Sequence, residues 1–153
     1  MRHLFVVAHP DDEVLGAGAF IYDAVQKGDK VAVLVLNTCD TTRYHDDYSK
    51  IKRDLLKSHE ILGVHLTYML GYTDSNFHNA DHRKMVQEIE TAIRDFQPDN
   101  IFTQHPGDIN TDHYWTAASC MEAFRLWQRG NGEKINPIKG LYLMRFSPLQ
   151  TGR

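Results

Sequence analysis

The stretch Leu4-Phe5-Val6-Val7-Ala8-His9-Pro10-Asp11-Asp12-Glu13 passes from an apolar run directly into an imidazole and three carboxylates. Its apolar part reads as a short buried strand, Leu4 to Ala8. Val14 to Gln26 then reads as a helix that stops at Lys27-Gly28, a basic residue followed by a C′ glycine. Carboxylates at this density repel one another and must be protonated, stay solvated or find a cation; a divalent metal meets that need with one ion. The segment is therefore both a strand-to-helix turn and half of a metal site.

Outward from this turn the same alternation repeats. Val31 to Leu36 is a continuous apolar run, the pattern of a strand covered on both faces in a parallel sheet. A polar loop follows from Asn37 to Tyr48. Ile51, Leu55, His59 and Leu62 recur at helical spacing up to Gly63, which predicts a second helix, then a third strand at His65 to Leu70 and a loop from Gly71 to Asn79. Met85, Ile89, Ala92 and Phe96 mark a third helix that stops before Pro98, and Asn100 to Thr103 is a fourth strand. Beyond the loop 104–112, Thr116, Cys120, Ala123 and Trp127 predict a helix over about Asp112 to Arg129, with a fifth strand at Leu141 to Phe146. This order predicts an α/β, Rossmann-like three-layer sandwich: a mostly parallel five-stranded sheet with right-handed crossovers and helices on both faces.

The 153 residues are read as one domain, 1–153. Charged residues at 24% and a net charge of -3 describe an ordinary globular chain without the basic surface that nucleic acid requires. No apolar run approaches the roughly 20 residues of a membrane span, and the start is too short for a signal peptide. Cys39 and Cys120 form no CxxC pair, so neither a zinc ribbon nor a disulfide framework is expected, and a reducing cytoplasm is the simplest setting.

The polar loops that follow the strands converge on one edge of such a sheet, where open α/β folds place their ligands. His9 and Asp12, three residues apart across the turn, can aim at one ion while Asp11 between them points elsewhere. A hydrolytic zinc commonly has three protein ligands and an open position, so a third donor is expected from a distant segment; His113 is the best candidate. Asp11, beside the ligands, suits a general base acting on a metal-activated water. Zinc fits two imidazoles and a carboxylate, although iron(II) and other divalent ions accept the same donors. Asp108 and Asp112 are candidates for orienting a nearby histidine, and Asp112 also for capping its helix. Arg43 and Asp74 are candidates for substrate binding in the loops after the second and third strands. Gly16 and Gly18 are expected to permit close helix packing.

Ala8-His9-Pro10-Asp11-Asp12-Glu13, with Asp108-Ile109-Asn110-Thr111-Asp112-His113 far downstream, resembles the LmbE-like, or PIG-L, family of zinc-dependent de-N-acetylases. Weaker likenesses are Arg53 with Leu62-Gly63-Val64, and Gly71-Tyr72-Thr73-Asp74. The resemblance implies a Rossmann-type hydrolase that removes acetyl groups from N-acetylglucosaminyl conjugates, with His9, Asp12 and His113 as ligands and Asp11 as base. Many members carry His-Pro-Asp-His downstream, whose first histidine serves the leaving amine or the oxyanion. Asn110 stands there in this chain. An amide cannot act as an acid but can donate an N–H to an oxyanion; protonation of the amine then falls to Asp11 or to His105 from the same loop. The family also continues past the strand at Leu141 to Phe146, which implies a domain short at its C-terminus, and self-association through an uncovered apolar edge is an expectation.

Two other readings stand beside this one. A non-catalytic relative that binds metal or sugar is motivated by Asn110. A receiver-like signalling domain would use the acidic pair to hold magnesium, with Asp74 as the phosphorylated residue, but it leaves His9 and His113 without a role.

Overall fold

The computed structural model describes residues 1–38, 48–130 and 137–145, the side chain of Tyr48 excepted. Strands β1 (Arg2–Val7), β2 (Lys30–Val35), β3 (Leu66–Met69), β4 (Asn100–Gln104) and β5 (Gly140–Met144) alternate with helices α1 (Asp12–Gln26), α2 (Tyr48–Leu62), α3 (His82–Phe96) and α4 (Thr111–Arg129). They form one sheet in the order β3-β2-β1-β4-β5. Among the described residues every pairing between these strands is parallel, the β4–β5 edge included, so the five-stranded sheet is all-parallel.

The unbroken apolar runs of β1 and β2 follow from burial on both faces. Leu4, Val6, Ala8, Ala32 and Leu34 pack into one core with Met85, Ile89 and Ile93 of α3 and Cys120 and Ala123 of α4. Phe5, Val7, Val31, Val33 and Val35 turn the other way, onto Ile21 and Ala24 of α1 and Leu55 of α2. Burying each such side chain contributes about 1.5–3 kcal/mol, so the two cores hold the central strands firmly.

Three local differences from the sequence expectation have identifiable causes. Helix α1 begins at Asp12 instead of Val14, because Leu15 N–H already donates to Asp11 O at 2.9 Å. The loop after β3 contains a 3₁₀ turn, Phe77–Asn79, pinned by Phe77, which is 1% exposed. Gly18 serves no close helix contact: a Cβ there would meet only Val14 Cγ1 of its own helix, at 3.6 Å. Gly63 does terminate α2, with φ +76, the left-handed conformation expected of a C′ glycine.

All five carboxyl ends of the strands lie at one edge. Strand order reverses between β1, which leads outward to β2 and β3, and β4 on its other flank. That reversal opens the crevice where α/β sheets bind ligands. The turn after β1 and the loop after β4 face each other across it.

Candidate metal centre

The turn after β1 is closed by its own side chains. His9 N–H donates to Asp12 Oδ2 at 2.8 Å, which brings the first residue of α1 back over the end of β1. Asp12 is then reached from β4, where Gln104 Nε2 donates to the same oxygen at 2.5 Å. His113, in the first turn of α4, places Nε2 3.3 Å from Asp12 Oδ1. His9 Nδ1 lies 3.5 Å from Asp12 Oδ2.

These three residues, expected as ligands, are thus brought together: one donor atom from each lies within 4.8 Å of the others. The donor set fits zinc. Bonds of roughly 2.0–2.2 Å in a tetrahedron set ligand atoms about 3.4 Å apart, and the two imidazoles stand at similar distances from one or other oxygen of Asp12. Asp11, Asp12, Asp74, Asp108 and Asp112 surround the imidazoles, and among the described residues lining the cavities here there is no lysine or arginine. A divalent cation balances that charge directly.

Each imidazole also has a carboxylate at the nitrogen turned away from Asp12. His9 Nε2 is 3.2 Å from Asp112 Oδ2 and 3.2 Å from Asp74 Oδ1. His113 Nδ1 is 3.4 Å from Asp108 Oδ1. Asp112, hydrogen-bonded to Nε2, fixes the tautomer of His9 and leaves Nδ1 available to an ion, whereas Asp108 faces His113 Nδ1 at ion-pair distance without hydrogen-bond geometry. Asp112 is fully buried and held by the N–H groups of Ser75 at 2.6 Å and Phe77 at 3.2 Å, so the β3–α3 loop positions it. His9, Asp74 and Asp112 also satisfy the spacing of a cation-binding trio, but their shared approach to His9 Nε2 is accounted for by the orientation of that ring.

Proton affinities follow the same charges. Burial disfavours a charged His9, yet its hydrogen bonds to Asp112 and Asp12 outweigh that and raise it from 6.5 to about 10. Burial would raise Asp12, but His113 and His9 hold it down at about 2. His113 is likewise raised, Asp12 overcoming desolvation. Asp112 is lowered: His9 and the Phe77 and Ser75 N–H groups outweigh its burial. Asp11 moves upward through desolvation and the adjacent Asp12 charge, which makes it a stronger base than an ordinary aspartate.

A polar cleft of about 380 Å³ opens over the centre, bounded by His9, Asp11, Asp12, Asp74, Asn110 and His113. Asn110 caps α4, its Oδ1 accepting from Asp112 N–H at 2.9 Å, so the helix start expected of Asp112 belongs to its neighbour two residues earlier. The cap uses the oxygen. His105 turns onto its own loop, where Nδ1 accepts from Gly107 N–H at 2.9 Å, and it is not among the described residues lining the cleft. Arg43 lies outside the described residues.

Two contributors were not legible as such. Gln104 read only as the residue after a strand; its one signal was a polar side chain at the carboxyl end of an apolar run. Glu13 is fully buried, with Oε1 3.0 Å from His59 Nε2, and His59 Nδ1 lies 2.7 Å from Thr67 Oγ1, so the turn of α1 that carries Asp12 is tied to α2 and β3.

Comparison with known proteins bears on the family and the fold. Residues 4–124 match the family model described as PIG-L, GlcNAc-PI de-N-acetylase. An uncharacterized deacetylase of Escherichia coli K12, YaiS, is 32% identical over 128 residues, covering 80% of this chain and 67% of that protein. The conserved protein TT1542 of Thermus thermophilus superposes with a TM-score of 0.79 at 22% identity, over 94% of this chain and 65% of its own. The N,N'-diacetylchitobiose deacetylase of Pyrococcus horikoshii superposes at 0.77 with 23% identity, over 94% of this chain and 60% of its own. Those two likenesses speak to fold, and the chain spans less than two thirds of either protein.

Proposed function

The chain belongs to the PIG-L family of de-N-acetylase domains, and from that premise we propose that it is a metal-dependent hydrolase removing the acetyl group from an N-acetylated sugar of glucosaminyl type. The observation that carries this reading is the pair of imidazoles, each set between Asp12 and an outer carboxylate. Family membership leaves no place for the receiver-like reading.

His9, Asp12 and His113 would hold the ion, with zinc favoured by the donor set and iron(II) the alternative. When bound, it supplies Lewis acidity toward the amide carbonyl and water of lowered pKa. Asp11, exposed at the mouth of the cleft with raised basicity, accepts the proton of the attacking water. The Asn110 amide, anchored through its oxygen to the start of α4, offers its N–H to the developing oxyanion. Asp11 then returns the proton to the leaving nitrogen as the C–N bond breaks, giving acetate and a free amine. His105, turned onto its own loop and absent from the described lining of the cleft, is not given that step, and Asp74 and Arg43 are assigned to the sugar.

Among the described residues no helix is long and apolar enough to cross a membrane. Cys120 is a buried free thiol, in keeping with a cytoplasmic setting.

Acetate release from a panel of N-acetylglucosaminides, measured with the zinc-loaded and the chelated protein, tests the reading. Release by the loaded form alone is expected. Stoichiometric zinc without acetate release from any member would favour the non-catalytic relative, and release undiminished by chelation would remove the metal from the reaction.

A further inference from the structure

The polar cleft over the metal centre continues into a second cavity of about 550 Å³ between α1 and α2. The two share His9, Asp11, Leu15 and Asp74. Beyond that junction the character changes. Pro10, Val14, Leu15, Ile51 and Leu55 bring five apolar side chains to the wall, where the cleft over the centre has Leu15 alone. Leu15 is 74% exposed and Val14 38%, although both lie within one turn of a catalytic carboxylate.

Two of the polar residues of this groove are engaged within the protein, and Asp54, whose exposed carboxylate lies 3.9 Å from Arg53, sets a single charge on the α2 side. Asn37 Nδ2 donates to Tyr72 O at 2.6 Å, and Ser58 Oγ donates to Leu55 O at 2.8 Å. Among the described lining residues there is no Trp, Tyr or Phe ring for a pyranose face and no lysine or arginine for a phosphate. The volume lies in the range of sites for whole small molecules, far beyond what an acetyl methyl fills. An exposed leucine at the junction of a polar cleft and an apolar groove gains by being covered when an apolar group enters.

We propose that the α1–α2 groove binds an apolar chain attached to the scissile amide, so that the preferred substrate carries a hydrocarbon substituent beside its sugar. The proposal rests on the hydrolase reading and narrows its substrate class. The same chemistry has two sources: an acyl group longer than acetyl, or an alkyl aglycone on the amine side. Either leaves the carbonyl at the metal centre and sends its chain past Leu15 toward Ile51.

Product binding separates this from the question of turnover. Calorimetry on the zinc-loaded protein compares acetate, butyrate and hexanoate in one arm, and methyl, butyl and hexyl glucosaminides in the other. Affinity is expected to rise about threefold per methylene in one arm, with that rise lost in Ile51→Asn and in Leu15→Asn. A rise in the acids assigns the acyl chain to the groove, and a rise in the glucosaminides assigns the aglycone. No dependence on length in either arm, or a dependence that survives both substitutions, overturns the proposal. Because no bond is cleaved, length-dependent binding in a protein that releases neither acetate nor a longer acid from any N-acylglucosaminide would sustain the groove while sinking the hydrolase reading.

Discussion

Asp112 Oδ2 stands 3.2 Å from His9 Nε2 although 103 residues separate them, and the same carboxylate is held from the β3–α3 loop by Ser75 and Phe77. The histidine beside it in sequence, His113, takes its carboxylate from Asp108 instead. The two imidazoles are therefore flanked by crossed carboxylates: His9, at the turn after β1, by the hydrogen-bonded Asp112 of α4, and His113 of α4 by Asp108 of the loop before it, at ion-pair distance.

Asp112→Ala removes the group that fixes the His9 ring. Zinc affinity is expected to fall about 10- to 100-fold, read by competition with a chromophoric chelator. An unchanged affinity would show that His9 is oriented without it.

Zinc binding is expected to strengthen as pH rises, by about tenfold per unit for each proton displaced, since His9 keeps its proton up to about 10 in the metal-free protein. The sign for metal-free stability is opposite. His9 is raised, so its contribution is complete below about 6.5 and lost as pH climbs toward about 10; Asp12 is lowered, so its contribution is present above about 4 and lost as pH falls toward about 2. Thermal melts of the chelated protein should peak between those limits. A melting temperature still rising from pH 7 to 9 would contradict the assignment.

Asp11→Asn keeps the shape of the cleft and removes the base. A fall in kcat of about 10²–10⁴ is expected at unchanged zinc content. Full activity would move proton transfer to another residue; loss of zinc alongside activity would make Asp11 a ligand.

His59→Ala leaves the fully buried Glu13 carboxylate without its partner. Leaving a buried hydrogen-bonding group unsatisfied costs about 1–3 kcal/mol, visible as an earlier denaturant midpoint. Adding Glu13→Gln should recover part of the loss. Equal destabilisation of the single and double variants would rule out the unpaired carboxylate as the cause.

Gly63→Ala forces a side chain into left-handed backbone and sets its Cβ 2.7 Å from Val25 Cγ1 of α1. Overpacking of this kind costs about 1–3 kcal/mol. A variant as stable as the parent would mean that the α1–α2 seam yields more readily than its packing implies.

The sequence by itself determined what depends on neighbours along the chain. Strand and helix types, the stop at Gly63 and the pairing of His9 with Asp12 were legible because periodicity, capping and a three-residue turn are local. His113 was legible because the residues after β1 and β4 had to meet if the sheet was parallel. Only the tertiary structure decided which carboxylate serves which imidazole, that Gln104 reaches Asp12, that Asn110 caps α4, and that an apolar groove adjoins the polar cleft. Those depend on β1 lying against β4 and α1 against α2, and on side-chain distances of a few ångströms between segments whose order in sequence carries no record of how closely they approach.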